Sequence, residues 1–186
     1  MMMKGAKPLT EPMFFDTDCI SAFLWVQEQS ILAQMYPGQI YIPRQAYDEL
    51  SVPAVSHLKR RIDCLIRDGK AKVVDIDTET EAYSIYCELA EPSAKKKKLL
   101  GRGEAACLAL AKTKNGIIAS NNFRDIWEYV TQFNLHHVTT GDIMVDAFRR
   151  GLITEDQANV IWQGMLNKRR KLGASSFSEY LNTKTK

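Results

Sequence analysis

The chain has 186 residues, of which 45% are hydrophobic and 25% charged, a composition typical of a globular protein with one sizeable core and not of a disordered or fibrous one. Its formal net charge of +3 is too small to indicate a nucleic-acid partner by itself. No stretch reaches the roughly 18 apolar residues that a membrane span needs, and the N-terminal MMMKGAKPL lacks the apolar run of a signal peptide. We therefore expect a cytoplasmic protein without a membrane partner.

Five short apolar segments predict β-strands that are buried on both faces. They are residues 13–16, 39–42, 72–76, 117–120 and 137–139. Helical patterns separate these segments, and this alternation predicts an α/β fold with a parallel sheet covered by helices on both sides. Because the sequence contains no repeat and no domain boundary, we expect one domain over residues 1–186.

Capping residues, prolines and glycines mark the ends of the predicted helices. These helices are 43–50, 54–67, one that follows the capping box Thr78-x-x-Glu81 and ends at Ala90, 104–114, one from about Asp142 to Gly151, and 154 to about 170. Residues 91–103 carry a proline, two glycines and four lysines, and are predicted to form an exposed loop. In the polar tail, Phe177, Tyr180 and Leu181 are predicted to dock on the body of the protein.

Three acidic residues lie close to the carboxyl ends of predicted strands, where ligands bind in parallel sheets. Asp16 ends the first strand, Glu49 lies about two turns into the helix after the second, and Glu104 opens the helix before the fourth. Each acid also has a plain structural interpretation. Asp16 suits a helix N-cap, Glu49 a solvated surface position, and Glu104 the positive end of a helix dipole.

Further polar groups follow the fourth strand. Ser120, Asn121 and Asn122 come directly after it and Asp125 lies a few residues on, although a turn or helix cap explains the asparagines equally well. Clustered carboxylates raise one another's pKa unless a cation neutralises them, and hard oxygen ligands favour Mg²⁺ or Mn²⁺. None of the histidines is placed for a zinc site.

At this point the sequence resembles the PIN-domain family, and it is similar to the toxin nucleases of toxin–antitoxin pairs. The segments that carry the resemblance are 14–18 (FFDTD), 41–50 (YIPRQAYDEL), 101–111 (GRGEAACLALA), 118–122 (IASNN), 140–143 (TGDI) and 151–154 (GLIT). Their order and spacing together are fairly specific. The resemblance covers a core of about residues 12–165, which leaves a basic helix end and tail over 166–186.

The resemblance implies a five-stranded parallel sheet of order 3-2-1-4-5 and a Mg²⁺- or Mn²⁺-dependent endoribonuclease. Asp16, Glu49 and Glu104 match the family's first three acids and would be catalytic and metal-binding. Asn121 stands where a fourth acid is usual and would offer only a carbonyl oxygen to the metal. Asp125, one helical turn on, would then supply the missing catalytic carboxylate.

Neighbouring residues are expected to orient the site and to bind RNA. We expect Thr17 and Ser120 to orient the ligands or the phosphate from outside the metal's immediate shell. The RNA-binding residues are predicted to be Arg102 and the lysine block, although a solvated loop explains that block as well. The block consists of Lys95, Lys96, Lys97 and Lys98.

The sequence does not distinguish between several other partners and functions. Members of the family include toxins held by an antitoxin protein as well as RNA-processing enzymes. The apolar faces of the helices at 54–67 and 154–170 fit either packing on the sheet or a homodimer. A catalytically weak or inactive PIN-like module that binds RNA or protein is the alternative function. The pair Asp16 and Asp18 also suits a phosphatase that forms an aspartyl-phosphate, but Lys112 and Lys114 lie within a helix and do not complete that site.

Overall fold

The computed structural model of the protein describes residues 11–91 and 100–184. Five strands form one parallel sheet in the order β3-β2-β1-β4-β5. They are β1 (Met13–Phe15), β2 (Ile40–Pro43), β3 (Ala71–Val74), β4 (Ile117–Ala119) and β5 (His136–Val138). The predicted fold class and strand order are confirmed, and the predicted strand ends differ by only one or two residues.

Ten α-helices lie around the sheet within the described ranges. They are α1 (Thr17–Trp25), α2 (Gln29–Met35), α3 (Arg44–Glu49), α4 (Ser56–Arg67), α5 (Glu81–Ala90), α6 (Arg102–Thr113), α7 (Phe123–Gln132), α8 (Thr140–Arg149), α9 (Glu155–Asn167) and α10 (Phe177–Thr183), with a 3-10 turn at Pro53–Val55. None of these helices is both long and apolar enough to cross a membrane.

The central strand β1 shows why its sequence is apolar at every residue. Successive side chains of a strand point to opposite faces of the sheet. Met13 and Phe15 accordingly pack into the core formed with α1, α2, α4, α8 and α9, whereas Phe14 packs into the core formed with α5, α6 and α7. All three side chains are fully buried, so helices cover both faces of the sheet at its centre.

Two of the helix starts that differ from the sequence prediction change the capping residues. The capping box at Thr78 is wrong, because Thr80 is the N-cap of α5 and its hydroxyl accepts a hydrogen bond from the backbone amide of Tyr83. Helix α6 begins at Arg102, two residues earlier than predicted. Glu104 is therefore the third residue of the helix, and its carboxylate accepts a hydrogen bond from the amide of Gly101. The capping box at Thr154 is confirmed.

Helices α2, α7 and α10 were not predicted from the sequence, but the predicted docking of the tail is confirmed. Phe177 is fully buried, and Tyr180 and Leu181 pack against the same core. The hydroxyl of Tyr180 donates a hydrogen bond of 3.0 Å to Asp142 at the start of α8. Helix α10 thus lies against the end of the sheet that carries the polar residues.

Candidate functional site

A cavity of about 270 Å³ opens at the carboxyl end of β1. Its lining consists of Asp16, Thr17, Asp18, Glu49, Gly101 and Glu104. The structure therefore brings together the three acids that were predicted from the sequence. Asp16 follows β1, Glu49 belongs to α3 and Glu104 belongs to α6. The structure brings them together because β1 and β2 are parallel neighbours, so the chain leaves both strands at the same edge of the sheet.

Asp16 is the buried member of this group, with only 1% of its surface exposed. Its Oδ1 atom accepts a hydrogen bond of 2.7 Å from the amide of Cys19 and thereby caps α1, as one interpretation of the sequence proposed. Its Oδ2 atom is also buried, and no hydrogen-bond partner for it is present in the described residues. The cap uses one carboxylate oxygen and leaves the other without a protein donor.

Burial makes the anionic form of Asp16 costly. The pKa of Asp16 is raised from 3.8 to about 7, mainly by desolvation and to a smaller extent by the charges of Asp18 and Glu104. The Cys19 amide and the nearby Ser120 side chain lower the pKa in part, although Ser120 makes no well-formed hydrogen bond to Oδ2. A cation beside this carboxylate would relieve the cost.

Glu49 is held by donors from two other elements. The hydroxyl of Thr17 donates a hydrogen bond to Oε2, and the amide of Gly103 donates one of 3.2 Å to Oε1. A Cβ atom at position 103 would lie 3.2–3.3 Å from Thr17 Oγ1 and from both Glu49 oxygens, which is closer than most Cβ contacts. Glycine at this position lets the first turn of α6 approach the carboxylate of α3. The orienting role predicted for Thr17 agrees with this contact.

Glu104 lies between two donors. Its Oε2 atom accepts from the amide of Gly101 at 3.1 Å, and its Oε1 atom accepts from Nδ2 of Asn122 at 2.6 Å. Partial burial raises the pKa of Glu104, an effect that the Asn122 bond reduces and the charge of Asp125 increases. Asn122 also donates to Oδ2 of Asp125 at 2.6 Å. Both amide hydrogens of one asparagine therefore connect two carboxylates, and Asp125 lies next to Glu104 but outside the cavity lining.

The structure does not bring Asn121 to the cavity. Its Nδ2 atom donates to the hydroxyl of Thr140 and its Oδ1 atom accepts from the amide of Thr140, both at 2.9 Å. Asn121 thus links the end of β4 to the start of α8, and its carbonyl oxygen, the side-chain atom that a metal could use, already accepts a hydrogen bond. Ser120 is fully buried, and its hydroxyl accepts from the amide of Asn122, so it supports the same turn.

Two residues at the site were missed by the sequence reasoning. Asp18 lines the cavity and pairs with Arg170 at 3.4 Å. The signal was its position two residues after Asp16, which the sequence analysis used only for the phosphatase alternative. Asn122 was noted as polar, but nothing in the sequence distinguished it from Asn121.

Of the predicted RNA-binding residues, only Arg102 lies in the part of the chain that the structure describes. Arg102 begins α6 at the edge of the cavity, is exposed, and donates from Nε to the hydroxyl of Tyr86 at 3.3 Å. The four lysines at 95–98 lie outside the described residues. Their role in binding RNA therefore stays a prediction.

The donor set of the cavity consists of carboxylate oxygens, the ligands that Mg²⁺ and Mn²⁺ prefer. Within residues 11–91 and 100–184, no three histidine, cysteine, aspartate or glutamate side chains are already arranged to hold a metal ion. The carboxylates of Glu49 and Glu104 are instead hydrogen-bonded to protein donors. Asp16, with one buried and unbonded oxygen, fits a cation best.

The chain matches a known protein family over nearly its whole length. A family model described as a PIN domain matches residues 12–185. The match therefore extends through α10, about 20 residues beyond the core that the sequence motifs suggested. No curated protein matches the chain.

Proposed function

The chain belongs to the PIN-domain family, and we propose on that basis that it is a metal-dependent endoribonuclease that hydrolyses phosphodiester bonds of RNA. PIN domains are generally nucleases. The observation that carries the proposal is Asp16, a buried carboxylate with one unbonded oxygen, in the same cavity as Glu49 and Glu104. Buried charges in proteins are paired or coordinate metals, and among residues 11–91 and 100–184 no cationic side chain lines this cavity.

Asp16, Glu49 and Glu104 would hold the cation, Mg²⁺ or Mn²⁺, with Asp18 at the rim of the same cavity. A divalent cation bound there would lower the pKa of a bound water and would neutralise charge on the phosphate. Asn121 has no place in this set, because its side chain is bonded to Thr140.

The protein's own residues position these groups. The N-cap bond from Cys19 fixes the carboxylate plane of Asp16, while Thr17 and Gly103 orient Glu49. Asn122 keeps Glu104 and Asp125 side by side despite their like charges. Such fixed positions matter because a misplacement of about 1 Å can reduce a rate about 100-fold.

One observation favours the second candidate, a PIN-like module that binds RNA or protein with little catalysis. The carboxylates of Glu49 and Glu104 already have protein partners, so a cation must compete with those hydrogen bonds. A role as the toxin of a toxin–antitoxin pair, an antitoxin partner and a homodimer remain proposals that rest on the family resemblance.

The test compares wild type with Asp16→Asn, which keeps an oxygen for the N-cap bond but removes the charge. Labelled single-stranded and structured RNAs are incubated with Mn²⁺, Mg²⁺ or a chelator. Asp68→Asn is the control, since Asp68 is an exposed carboxylate at the end of α4 that does not line the cavity.

We expect metal-dependent cleavage by wild type and Asp68→Asn, and a loss of about 100-fold or more in Asp16→Asn. Mn²⁺ should also raise the melting temperature of wild type and not that of Asp16→Asn, since a ligand that binds only the folded state stabilises it. Normal cleavage by Asp16→Asn would reject the site. RNA binding without metal-dependent cleavage in wild type would favour the binding module.

A further inference from the structure

Three aromatic rings form a group on the surface at the carboxyl end of β4 and β5. Phe123 and Trp127 are 41% and 53% exposed. Their ring centroids are 4.8 Å apart, and the Phe123 ring stacks on His137 with a centroid distance of 5.0 Å and an interplanar angle of 26°. Tryptophan is highly buried on average, so a Trp more than half exposed within an aromatic group indicates a binding surface.

This aromatic platform, defined by Phe123, Trp127 and His137, is linked through the chain to the acidic cavity. Phe123 directly follows Asn122, whose amide holds the cavity carboxylate of Glu104 at 2.6 Å. Trp127 lies one helical turn further along α7. The platform therefore begins one residue away from a side chain that contacts the cavity lining.

His137 is held in a fixed orientation. Its Nε2 atom lies 2.7 Å from the carbonyl oxygen of Ser120, and because a carbonyl can only accept, Nε2 carries the hydrogen. Burial lowers the pKa of His137, so the ring is neutral near pH 7. The platform thus consists of an anchored, uncharged imidazole ring with the two exposed rings of Phe123 and Trp127 beside it.

The chemistry of these groups fits a nucleobase. Aromatic faces stack on unpaired bases in proteins that bind single strands, and a neighbouring cation contacts the backbone phosphates. Arg124 lies between the two exposed rings in the chain, is itself exposed, and supplies such a cation. A base within a duplex is already stacked on both sides and is not available to a protein ring in this way.

We propose that the aromatic platform binds an unpaired base of an RNA strand whose neighbouring phosphodiester lies at the acidic cavity. This inference rests on the proposed function for the identity of the strand. The continuity between the platform and the cavity, together with Arg124, favours RNA over a protein partner as the occupant.

The test measures binding separately from cleavage. Fluorescence anisotropy of a labelled single-stranded RNA octamer is recorded in chelator with wild type, Phe123→Leu, Trp127→Leu and Trp127→Phe. The leucine variants keep an apolar side chain and lose the aromatic face, whereas Trp127→Phe keeps a ring. Val160→Ala is the control, an exposed apolar residue on α9 outside the platform. An abasic octamer of equal charge and a hairpin of the same sequence are the comparison ligands.

We expect each leucine variant to weaken binding of the octamer by roughly 10-fold, and Trp127→Phe to stay within about 3-fold of wild type. Val160→Ala should bind as wild type does, and the abasic strand should bind all variants alike. The octamer should also quench the fluorescence of wild type more than that of Trp127→Leu, because Trp127 is the quenched residue. Melting temperatures recorded alongside identify any variant that fails to fold.

Unchanged octamer binding by both leucine variants would overturn the inference and leave a protein partner as the occupant of the platform. Equal weakening for the abasic strand would overturn it as well, because the contact would then be to phosphate. Aromatic-dependent binding without any metal-dependent cleavage would instead reject the nuclease and retain the stacking site. The two proposals therefore fail in different experiments.

Discussion

The backbone amide of Gly103 donates a hydrogen bond of 3.2 Å to Oε1 of Glu49, so the first turn of α6 holds a carboxylate that belongs to α3. The two residues are 54 positions apart in the chain. Their approach requires that position 103 has no side chain, since a Cβ atom there would lie 3.3 Å from both carboxylate oxygens of Glu49.

Gly103→Ala should therefore reduce cleavage by about 10- to 100-fold, because the added methyl group displaces Glu49. The fold should remain stable, since alanine is favoured over glycine in a helix. Gly101→Ala is the matched control, because its Cβ would lie at an ordinary distance of 3.4 Å from Glu104. Initial rates and melting temperatures of both variants check the prediction. Equal losses in the two variants would mean that crowding of Glu49 is not the cause.

The raised pKa of Asp16 predicts that stability in the absence of metal falls as the pH rises. The unfolded chain releases this proton near pH 4, whereas the folded protein retains it until about pH 7. Between these values the unfolded state binds fewer protons, so each pH unit removes up to about 1.4 kcal/mol of the free energy of unfolding. The whole effect is on the order of 4 kcal/mol.

Urea unfolding of wild type and Asp16→Asn in chelator, from pH 4.5 to pH 8, measures this effect. The variant should become progressively more stable than wild type as the pH rises, and the difference should level off above about pH 7. Addition of Mn²⁺ should reduce the difference, because a bound cation favours the ionised carboxylate. Parallel stability curves for the two proteins would show that Asp16 titrates normally.

Gly141 lies under the ring of Tyr180. A Cβ atom at position 141 would lie 2.4 Å from Cζ of Tyr180, whose hydroxyl also bonds to Asp142 and Thr139. Gly141→Ala should therefore lower the melting temperature and make the C-terminal segment more sensitive to proteolysis. The double variant with Tyr180→Ala should lose less than the sum of the two single effects, since the clash is then absent. Additive losses would contradict this explanation.

The sheet and the acidic residues were predictable because both depend on local sequence. Buried strands require uninterrupted apolar residues, and a polar residue after such a run falls at the edge of the sheet. Asp16 follows Met13, Phe14 and Phe15 in this way, and parallel strand order then brings it near Glu49. The predicted catalytic and metal-binding roles of these residues still await the experiments above.

The direction of individual polar side chains was not predictable. Asn121 and Asn122 are the same residue type at adjacent positions, yet Asn121 bonds to Thr140 and Asn122 bonds to Glu104. The conformation of the turn after β4 determines which partner each asparagine reaches. These partners lie 18 or 19 residues away in the chain. Helix α2 was missed for a similar reason, because it has only seven residues and its N-cap, Glu28, makes no side-chain capping bond.

The hydrogen bonds to Glu49 and Glu104 also affect the order in which folding and metal binding occur after synthesis. Since protein donors already bond both carboxylates, the polypeptide can reach its native state before any ion arrives. Binding of Mg²⁺ or Mn²⁺ by the proposed nuclease would then be a late and reversible step, in which the ion exchanges with Thr17, Gly103 and Asn122. We expect such a nuclease to respond to the free concentration of the ion rather than to retain one permanently.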